Sequence, residues 1–395
     1  MSYGWKVVFA LLFVQTVSSG LGFYNMSVYM AEFSNKLSLP LAQVSLGVSL
    51  FFVVGGLSGM YVARLLERIH VRWIMVTGAL ISGAALSLIG FVEHLWQIYV
   101  LLILFGAGNT GVSLVVATTL ITQWFPGPNR AIALSITSTG LSLGGVLITP
   151  ATAYLFNSVG AAATMPWLGL AFVVLILPLA LWVVRPAPVV KADAGFNDQG
   201  RWGYADAIRT RFFVLLSTGY IFCQGAQVGG ISHLYHRAEE LAGFATAASA
   251  VQALTIASIL GRLLGGWLAT RLPIRLFTLF NVLVQMTGLT IIGLADTGPM
   301  LLIGAGVLGA SVGNLLMLLP LWLAEAFPGP IYPRVFALAN MLSVMGVALG
   351  PLMLGLAYDY ADYTVAYGSA LLVSMVALLF IAAAGANPQL RTEPA

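Results

Sequence analysis

Long runs without a charged side chain dominate this chain of 395 residues and limit the folds open to it. A membrane-spanning helix takes about 20 apolar residues. The runs free of Asp, Glu, Lys and Arg are 7–31, 37–63, 73–92, 94–129, 131–184, 212–236, 276–295, 297–324, 335–358 and 363–390. A further run, 241–270, is interrupted only by Arg262. The pattern predicts transmembrane helices and excludes a membrane barrel, whose strands alternate in polarity at every second residue.

The longest run, 131–184, is long enough for two helices, with a predicted break near "FNSVGAA", 156–162. The chain then has twelve predicted helices, numbered 1 to 12 along the sequence. Composition agrees, because 59% of the residues are hydrophobic and 8% are charged, whereas a soluble protein carries about a quarter charged residues. We predict an all-α membrane protein, placed in the cytoplasmic membrane of a prokaryote because its loops are short.

Lys and Arg residues predict the orientation, because they concentrate on the cytoplasmic side of a membrane. With the N-terminus inside, only Lys36 and Arg237 of the 17 Lys and Arg residues fall outside, and Arg262 lies within helix 8. Both termini are therefore expected in the cytoplasm. The basic residues are scattered and form no continuous face, so the pI near 9.2 does not indicate nucleic acid.

Several other classes of function have no support in the sequence. The single cysteine, Cys223, excludes an internal disulfide and a cysteine-rich metal site. The strings "GLSLG" (140–144) and "GASVG" (309–313) match a hydrolase motif, but they lie within predicted helices rather than at a strand–turn–helix elbow. No phosphate-binding Walker sequence and no HExxH occurs. We expect no enzyme activity, no cofactor and no metal.

The two halves of the chain repeat one another. Phe125 and Phe327, each opening an FPGP string, lie 202 residues apart, and the basic pairs of two loops lie 203 apart. One pair, Arg68 and Arg72, follows helix 2, and the other, Arg271 and Arg275, follows helix 8. The expected domains are 1–184, a linker 185–210 with a surface helix around 202–209, and 211–395. Parallel halves of this kind place a substrate site between them, as in carriers.

Twelve helices in two sixes, with basic loops after helices 2 and 8, resemble the major facilitator superfamily. The loop "LERIHVR" supplies Glu67, Arg68 and Arg72 to that family's loop motif, and "ATRLPIR" supplies Arg271 and Arg275. Both loops depart from the motif, with His70 and Pro273 where the family has glycine. These residues are expected to form cytoplasmic ionic latches or to serve topology alone.

Finer motifs resemble the monocarboxylate transporter group and its bacterial relatives near the oxalate–formate exchangers. They are "YGWKVV" at helix 1, "WFPGPNRAIALSITSTGLSLGG" at helix 5, "IASILGRLLGGWLAT" at helix 8 and "GPLMLGLAYD" at helix 11. The resemblance implies that Arg262 binds the substrate carboxylate. The chain departs from the group at Ser258, Asn25 and Ser343, where relatives carry an acid, a lysine and a second cation.

Arg262 is informative without the resemblance as well. An arginine within a membrane helix costs about 2.5–3.5 kcal/mol on insertion scales and usually faces a cavity or a partner. No Asp or Glu lies in the middle of any predicted span, so an external carboxylate is a natural partner for the planar guanidinium. The alternative is that Arg262 extends to the inner membrane surface or binds exposed backbone.

One cation favours a short monocarboxylate, such as lactate or pyruvate, over a dicarboxylate. The expected polar contacts are Tyr24, Asn25, Ser258, Gln224 and Asn340, each of which is alternatively a bridge between packed helices. We expect proton symport, with exchange or uniport open. His233 and His236 are expected at the outer interface, with a role in carrying the proton as the alternative. A drug or lipophile exporter is the competing hypothesis. The need for an accessory protein stays open.

Overall fold

The computed structural model describes residues 3–66, 68–125, 129–185, 203–269, 271–327 and 331–385. Within these ranges the chain is helical and contains no strand. The long helices alternate with short connections, as the uncharged runs predicted. Eleven helices are long and apolar enough to cross a membrane, and the longest of them is two helices joined at a kink.

The first six predicted helices all form. Helix 1 comprises Tyr3–Ser19, a π-helical turn Gly20–Tyr24 and Asn25–Leu37; helix 2 is Leu41–Leu65 and helix 3 is Val71–Ile89. Helix 4 comprises Leu95–Thr110 and Leu114–Trp124, helix 5 is Asn129–Val159, and helix 6 is Ala161–Pro178 with a π-helical turn Leu179–Val183.

The last six helices also form. Arg211–Ala269 contains helices 7 and 8, Ile274–Gly293 is helix 9, Gly298–Ala326 is helix 10, Tyr332–Tyr360 is helix 11 and Tyr363–Ala384 is helix 12. A short helix, Tyr204–Arg209, lies at the end of the predicted linker, whose residues 186–202 are outside the described ranges.

Two glycines mark the breaks on which the helix count depends. Gly160 has a positive φ of 89° and separates helix 5 from helix 6, as the sequence predicted. Gly243 has a positive φ of 81°, and Ala242 beside it is also non-helical, so helix 7 ends and helix 8 begins here. Glycine adopts this backbone conformation without the steric cost that a Cβ brings. The prediction of twelve helices is confirmed.

The described residues form two compact units. The first unit contains residues up to 185 together with Ile231–Thr255, and the second contains 203–230 and the residues from Ile256 onward. In the first unit helix 1 packs on helix 5, helix 2 on helix 4, and helix 3 on helices 4 and 6. In the second unit helix 9 packs on helices 10 and 12, and helix 11 on helix 12.

One glycine contact recurs in both units and supports the internal repeat. In the first unit, a Cβ on Gly144 of helix 5 would overlap the backbone of helix 1 at Thr16. In the second, a Cβ on Gly346 of helix 11 would overlap the backbone of helix 7 at Ile221. Gly346 lies 202 residues after Gly144. Small residues allow membrane helices to approach this closely.

We expect Gly346→Ala to lower the thermal stability of the detergent-solubilised protein. The added Cβ meets helix 7 backbone, and overpacking of this kind costs about 1–3 kcal/mol. Gly368→Ala on helix 12 is the matched control, because nothing lies within 4 Å of a Cβ there. A thermal unfolding series on both variants tests this. Equal midpoints for the two alanine variants would contradict the close contact between helices 11 and 7.

Candidate functional site

Arg262 lies on helix 8 in the second unit, where helix 8 meets helix 10. Its side chain is partly exposed, and its stem runs beside Gly313 of helix 10. A Cβ on Gly313 would lie 3.0 Å from both the Cβ and the Nε of Arg262, and 2.7 Å from the carbonyl oxygen of Ser258. Glycine at position 313 therefore provides the space in which the arginine stem lies.

Ser258 lies one helical turn before Arg262 and is fully buried. Its backbone shares the contact with Gly313, so Ser258 and Arg262 belong to the same crossing of helices 8 and 10. The structure thus brings these two predicted residues together within one unit. The crossing presents a guanidinium with planar donors suited to a carboxylate, next to a small hydroxyl residue.

A pair of buried amides, Asn281 on helix 9 and Asn314 on helix 10, borders the same crossing and was not predicted. Asn314 Nδ2 donates to Asn281 Oδ1 over 3.0 Å and to the carbonyl of Ala310 over 3.2 Å. Asn281 Nδ2 donates to the carbonyl of Phe277 over 2.8 Å. The available sequence signal was that Asn281 and Asn314 are uncommon polar residues within otherwise apolar runs.

Tyr24 and Asn25 lie in the first unit, where the π-helical turn of helix 1 ends. Such turns are frequent at functional sites, and this one was not predicted. Asn25 is fully buried, and its Nδ2 donates to the Thr152 hydroxyl over 2.8 Å and to the Tyr29 hydroxyl over 3.2 Å. Its Oδ1 accepts no hydrogen bond from the described residues, so Asn25 offers an acceptor rather than a donor.

Tyr24 is held by a glycine contact within the first unit. A Cβ on Gly145 of helix 5 would overlap Thr255 and would lie 2.9 Å from the ring of Tyr24. The Phe23 ring packs edge-on against Tyr24, with centroids 5.0 Å apart. Helix 5 therefore fixes the place of this aromatic side chain.

Gln224 and Asn340 lie in the second unit and differ in exposure. Gln224 on helix 7 is buried, and its Oε1 accepts no hydrogen bond from the described part of the chain. Asn340 on helix 11 is exposed although the helix around it is apolar. Neither residue has a hydrogen bond that links it to Arg262 or Ser258 among the contacts of the described residues.

The basic loop residues contact their own surroundings. Arg271 stacks over the Trp267 ring at 4.1 Å, and Arg275 Nη2 donates to the carbonyl of Ala382 over 3.0 Å at the end of helix 12. Arg68 is exposed, and the backbone amide of Arg72 donates to His70 Nδ1 over 3.5 Å. Glu67 lies outside the described residues. The contacts of Arg271 and Arg275 pack the loop after helix 8 within the second unit.

We expect both histidines at the outer membrane interface, and the structure shows in addition that His233 is enclosed by protein. This side chain is fully buried, and its Nε2 lies 3.3 Å from the Ser45 hydroxyl of helix 2 in the first unit. His236 is partly exposed, with Nδ1 4.0 Å from a carboxylate oxygen of Glu240. Among the described residues, no cluster of three His, Cys, Asp or Glu side chains is placed to hold a metal ion.

The family model of the Major Facilitator Superfamily matches residues 12–298 of this chain. The chain belongs to this superfamily. The fold agrees, because a crystal structure of the nucleoside transporter NupG covers 95% of the chain with a TM-score of 0.74 at 12% identity, and 99% of that protein is covered.

Curated relatives are similar at low identity. The Uncharacterized MFS-type transporter YcxA of Bacillus subtilis is 25% identical over 76% of this chain and 77% of its own length. Monocarboxylate transporter 13 of Rattus norvegicus is 22% identical over 92% and 85%. The Oxalate:formate antiporter of Oxalobacter formigenes is 26% identical over 50% and 47%. Other relatives are named for hexuronate and for nitrate or nitrite, so sequence similarity alone does not identify the substrate.

Proposed function

We propose that this chain is a secondary active transporter that carries small monocarboxylates, of the lactate and pyruvate kind, across the cytoplasmic membrane by alternating access. Arg262 binds the carboxylate, and a proton crosses with the anion. The observation that carries the proposal is the arginine on helix 8, seated against Gly313 one turn from Ser258.

The chemistry of the guanidinium supports an anionic substrate. Its parallel N–H groups match the two oxygens of a carboxylate, and such charge-assisted hydrogen bonds are about twice as strong as neutral ones. An arginine within a membrane helix is costly and is typical of a functional site. A bound carboxylate offsets that cost by neutralising the charge.

A monocarboxylate fits the charge of the predicted site better than a dicarboxylate. The two positions where related carriers place a second cation hold Asn25 and Ser343. Asn25 is neutral and hydrogen-bonded to Tyr29 and Thr152, and Ser343 donates to the carbonyl of Ala339 over 2.9 Å. A second carboxylate would then lack a cation to balance it.

The remaining substrate contacts follow from which polar atoms are available. Asn25 Oδ1 and Gln224 Oε1 are buried acceptors, suited to a hydroxyl or a protonated group of the substrate. Ser258 contributes its hydroxyl beside Arg262, Tyr24 contributes a fixed ring, and Asn340 contributes an exposed amide on helix 11. Arg262 thus anchors the anion, and the other residues select its shape and hydrogen-bonding groups.

The matched relatives favour anions as substrates. Monocarboxylate, oxalate, formate, hexuronate and nitrate are all anionic, and these are the substrates in the names of the relatives. A positively charged residue at the binding site would suit any of these anions. Our choice of a short organic acid among these anions depends on Arg262 as the one cation of the predicted site and on the helix 8 motif around it.

Proton coupling is proposed on energetic grounds. Moving an anion into a negative cell costs about 2.3 kcal/mol per 100 mV, and a proton that travels with the anion cancels this cost. No carboxylate lies mid-span to carry the proton. We therefore place the proton with the arriving acid, on a water or on a histidine, while Arg262 stays charged and binds the carboxylate.

Uptake into proteoliposomes tests both parts of the proposal. We expect saturable uptake of radiolabelled L-lactate that rises several-fold when the outside is made acidic, because an inward proton gradient then drives symport. Pyruvate is expected to compete, and oxalate is expected to compete weakly. Collapse of the gradient with a protonophore serves as the control.

Other outcomes point to other carriers. Uptake that ignores the proton gradient but requires internal lactate would replace symport by exchange. Absence of lactate and pyruvate uptake, together with extrusion of a lipophilic dye, would support a drug or lipophile exporter and would contradict the proposed substrate class. The purified protein is used alone, so full activity would also show that no accessory subunit is required.

A further inference from the structure

The internal repeat shows what the helix crossing around Arg262 needs for packing alone. The offset of 203 residues that relates the two basic loops pairs Arg262 with Gly59 and Gly313 with Thr110. In the first unit, a Cβ on Gly59 would lie 3.7 Å from the Thr110 methyl group, an ordinary van der Waals contact. The second unit reverses the sizes, with the large residue on helix 8 and the glycine on helix 10.

The same offset pairs the Asn281–Asn314 amides with a glycine pair, Gly78 and Gly111. In the first unit these glycines let helices 3 and 4 approach closely, because a Cβ on Gly111 would lie 3.1 Å from Gly78 Cα. Helices 3 and 4 of the first half thus pack closely without an amide pair, so the equivalent packing of helices 9 and 10 does not require one. The second half therefore differs from the first at four neighbouring positions, which hold Arg262, Gly313, Asn281 and Asn314.

The amide pair has a fixed direction. Asn281 gives its Nδ2 to the carbonyl of Phe277, which leaves its Oδ1 to accept from Asn314 Nδ2. The Oδ1 of Asn314 is thereby turned away from helix 9. It accepts no hydrogen bond from the described residues and lies against Gly265 of helix 8, where a Cβ would overlap it.

Helix 10 therefore contacts helix 8 at two neighbouring positions, one of them at Arg262. Gly313 borders the stem of Arg262, and Asn314 fills the notch at Gly265, one turn further along helix 8. Asn281 and Asn314 are 3% and 6% exposed, so the pair is enclosed by protein. Buried amide pairs hold membrane helices in one rotational setting because the alternative leaves polar groups unsatisfied.

We propose that Asn281 and Asn314 are positioning residues for Arg262. The pair sets the rotation of helix 10, so that Gly313 faces helix 8 and Asn314 occupies the notch at Gly265. The guanidinium is then held in one place for the carboxylate before the substrate arrives, which lowers the cost of binding. This inference rests on the proposed function of Arg262 as the carboxylate anchor.

The test compares KM and Vmax for L-lactate in proteoliposomes of the full chain. The main variant is the double substitution Asn281→Gly and Asn314→Gly, which installs the residues of the first half. We expect KM to rise about tenfold, within the range found for coupled neighbours, with Vmax changed little. Asn314→Ala alone is expected to give most of this rise.

Gln285→Leu is the matched control, because it removes another buried amide from helix 9. Gln285 is bonded to Gln227 on helix 7 and to Ser374 on helix 12, each over 3.0 Å, and not to helix 10. We expect it to lower thermal stability while leaving KM within about twofold of wild type. A comparable rise of KM in this control would overturn the positioning role.

A second pair of variants covers the case in which the double glycine protein does not fold. Gly265→Ala displaces Asn314 Oδ1 from the side of helix 8, whereas Gly266→Ala meets nothing within 4 Å. We expect the former to raise KM and the latter to leave it unchanged. Equal KM values for the two variants would overturn the proposal.

An Arg262→Lys background separates positioning from general damage. If the amides act by positioning the guanidinium, Asn314→Ala changes KM little in a protein that already carries Arg262→Lys. Fully additive effects of the two substitutions on the logarithm of KM would overturn the proposal. The proposed function is judged separately by Arg262→Gln. Unchanged uptake in Arg262→Gln would contradict the role of Arg262 as the carboxylate anchor. Lost uptake in Arg262→Gln, together with a wild-type KM in the amide variants, would contradict only the positioning role.

Discussion

Arg262→Gln is expected to lower L-lactate uptake by about 100-fold, because two charge-assisted hydrogen bonds worth about 3 kcal/mol together are lost. Glutamine keeps a polar side chain but lacks both the charge and the planar fork. The measurement is the initial uptake rate in proteoliposomes that contain equal amounts of folded protein.

Arg262→Lys refines this prediction. Lysine keeps the charge but presents a compact ammonium that does not match a carboxylate in bidentate fashion. We expect intermediate uptake with a raised KM. A lysine variant as inactive as the glutamine variant would indicate that the fork geometry matters more than charge, and wild-type activity in both would contradict the anchor role.

Gly313→Leu is expected to lower uptake at least about tenfold, because the leucine side chain displaces Arg262. A shift of about 1 Å in a side chain that positions the substrate can cost much of a protein's activity. Even a Cβ at this position lies 3.0 Å from the Arg262 Nε and 2.7 Å from the Ser258 carbonyl oxygen. The measurement is the same uptake assay, with protein amount and thermal stability recorded.

Gly306→Leu is the control for Gly313→Leu. Both glycines lie on helix 10, but nothing lies within 4 Å of a Cβ on Gly306. We expect near wild-type uptake from the control. Similar losses in the two variants would mean that leucine harms helix 10 in general, and similar wild-type activity would show that Arg262 does not depend on Gly313.

The helices were predictable because lipid imposes a simple requirement. Every backbone polar group must be satisfied within the span, so an uncharged run of about 20 residues becomes a helix. The break at Gly160 followed from the length of the run 131–184. The π-helical turn at Gly20–Tyr24 was not predictable, since nothing in the period of apolar residues distinguishes it from an ordinary helix.

Of the candidate site, the sequence singled out most clearly the residue that places a charge within an apolar run. Arg262 stands out because a cation in an apolar run has few purposes. Asn281 and Asn314 do not stand out, because a lone amide in a membrane helix is commonly a bridge, and their pairing depends on how helices 9 and 10 face each other. The burial of His233 was not predictable, because it depends on contacts such as that with Ser45, which is 188 residues away in sequence.

The most direct test of the central claim is equilibrium exchange of L-lactate in proteoliposomes. Exchange with equal lactate and equal pH on both sides needs only substrate binding and reorientation, so it is independent of how protons are coupled. We predict rapid exchange in the wild-type protein and none above empty liposomes in Arg262→Gln. Equal exchange in the two proteins would contradict the assignment of Arg262 as the carboxylate anchor.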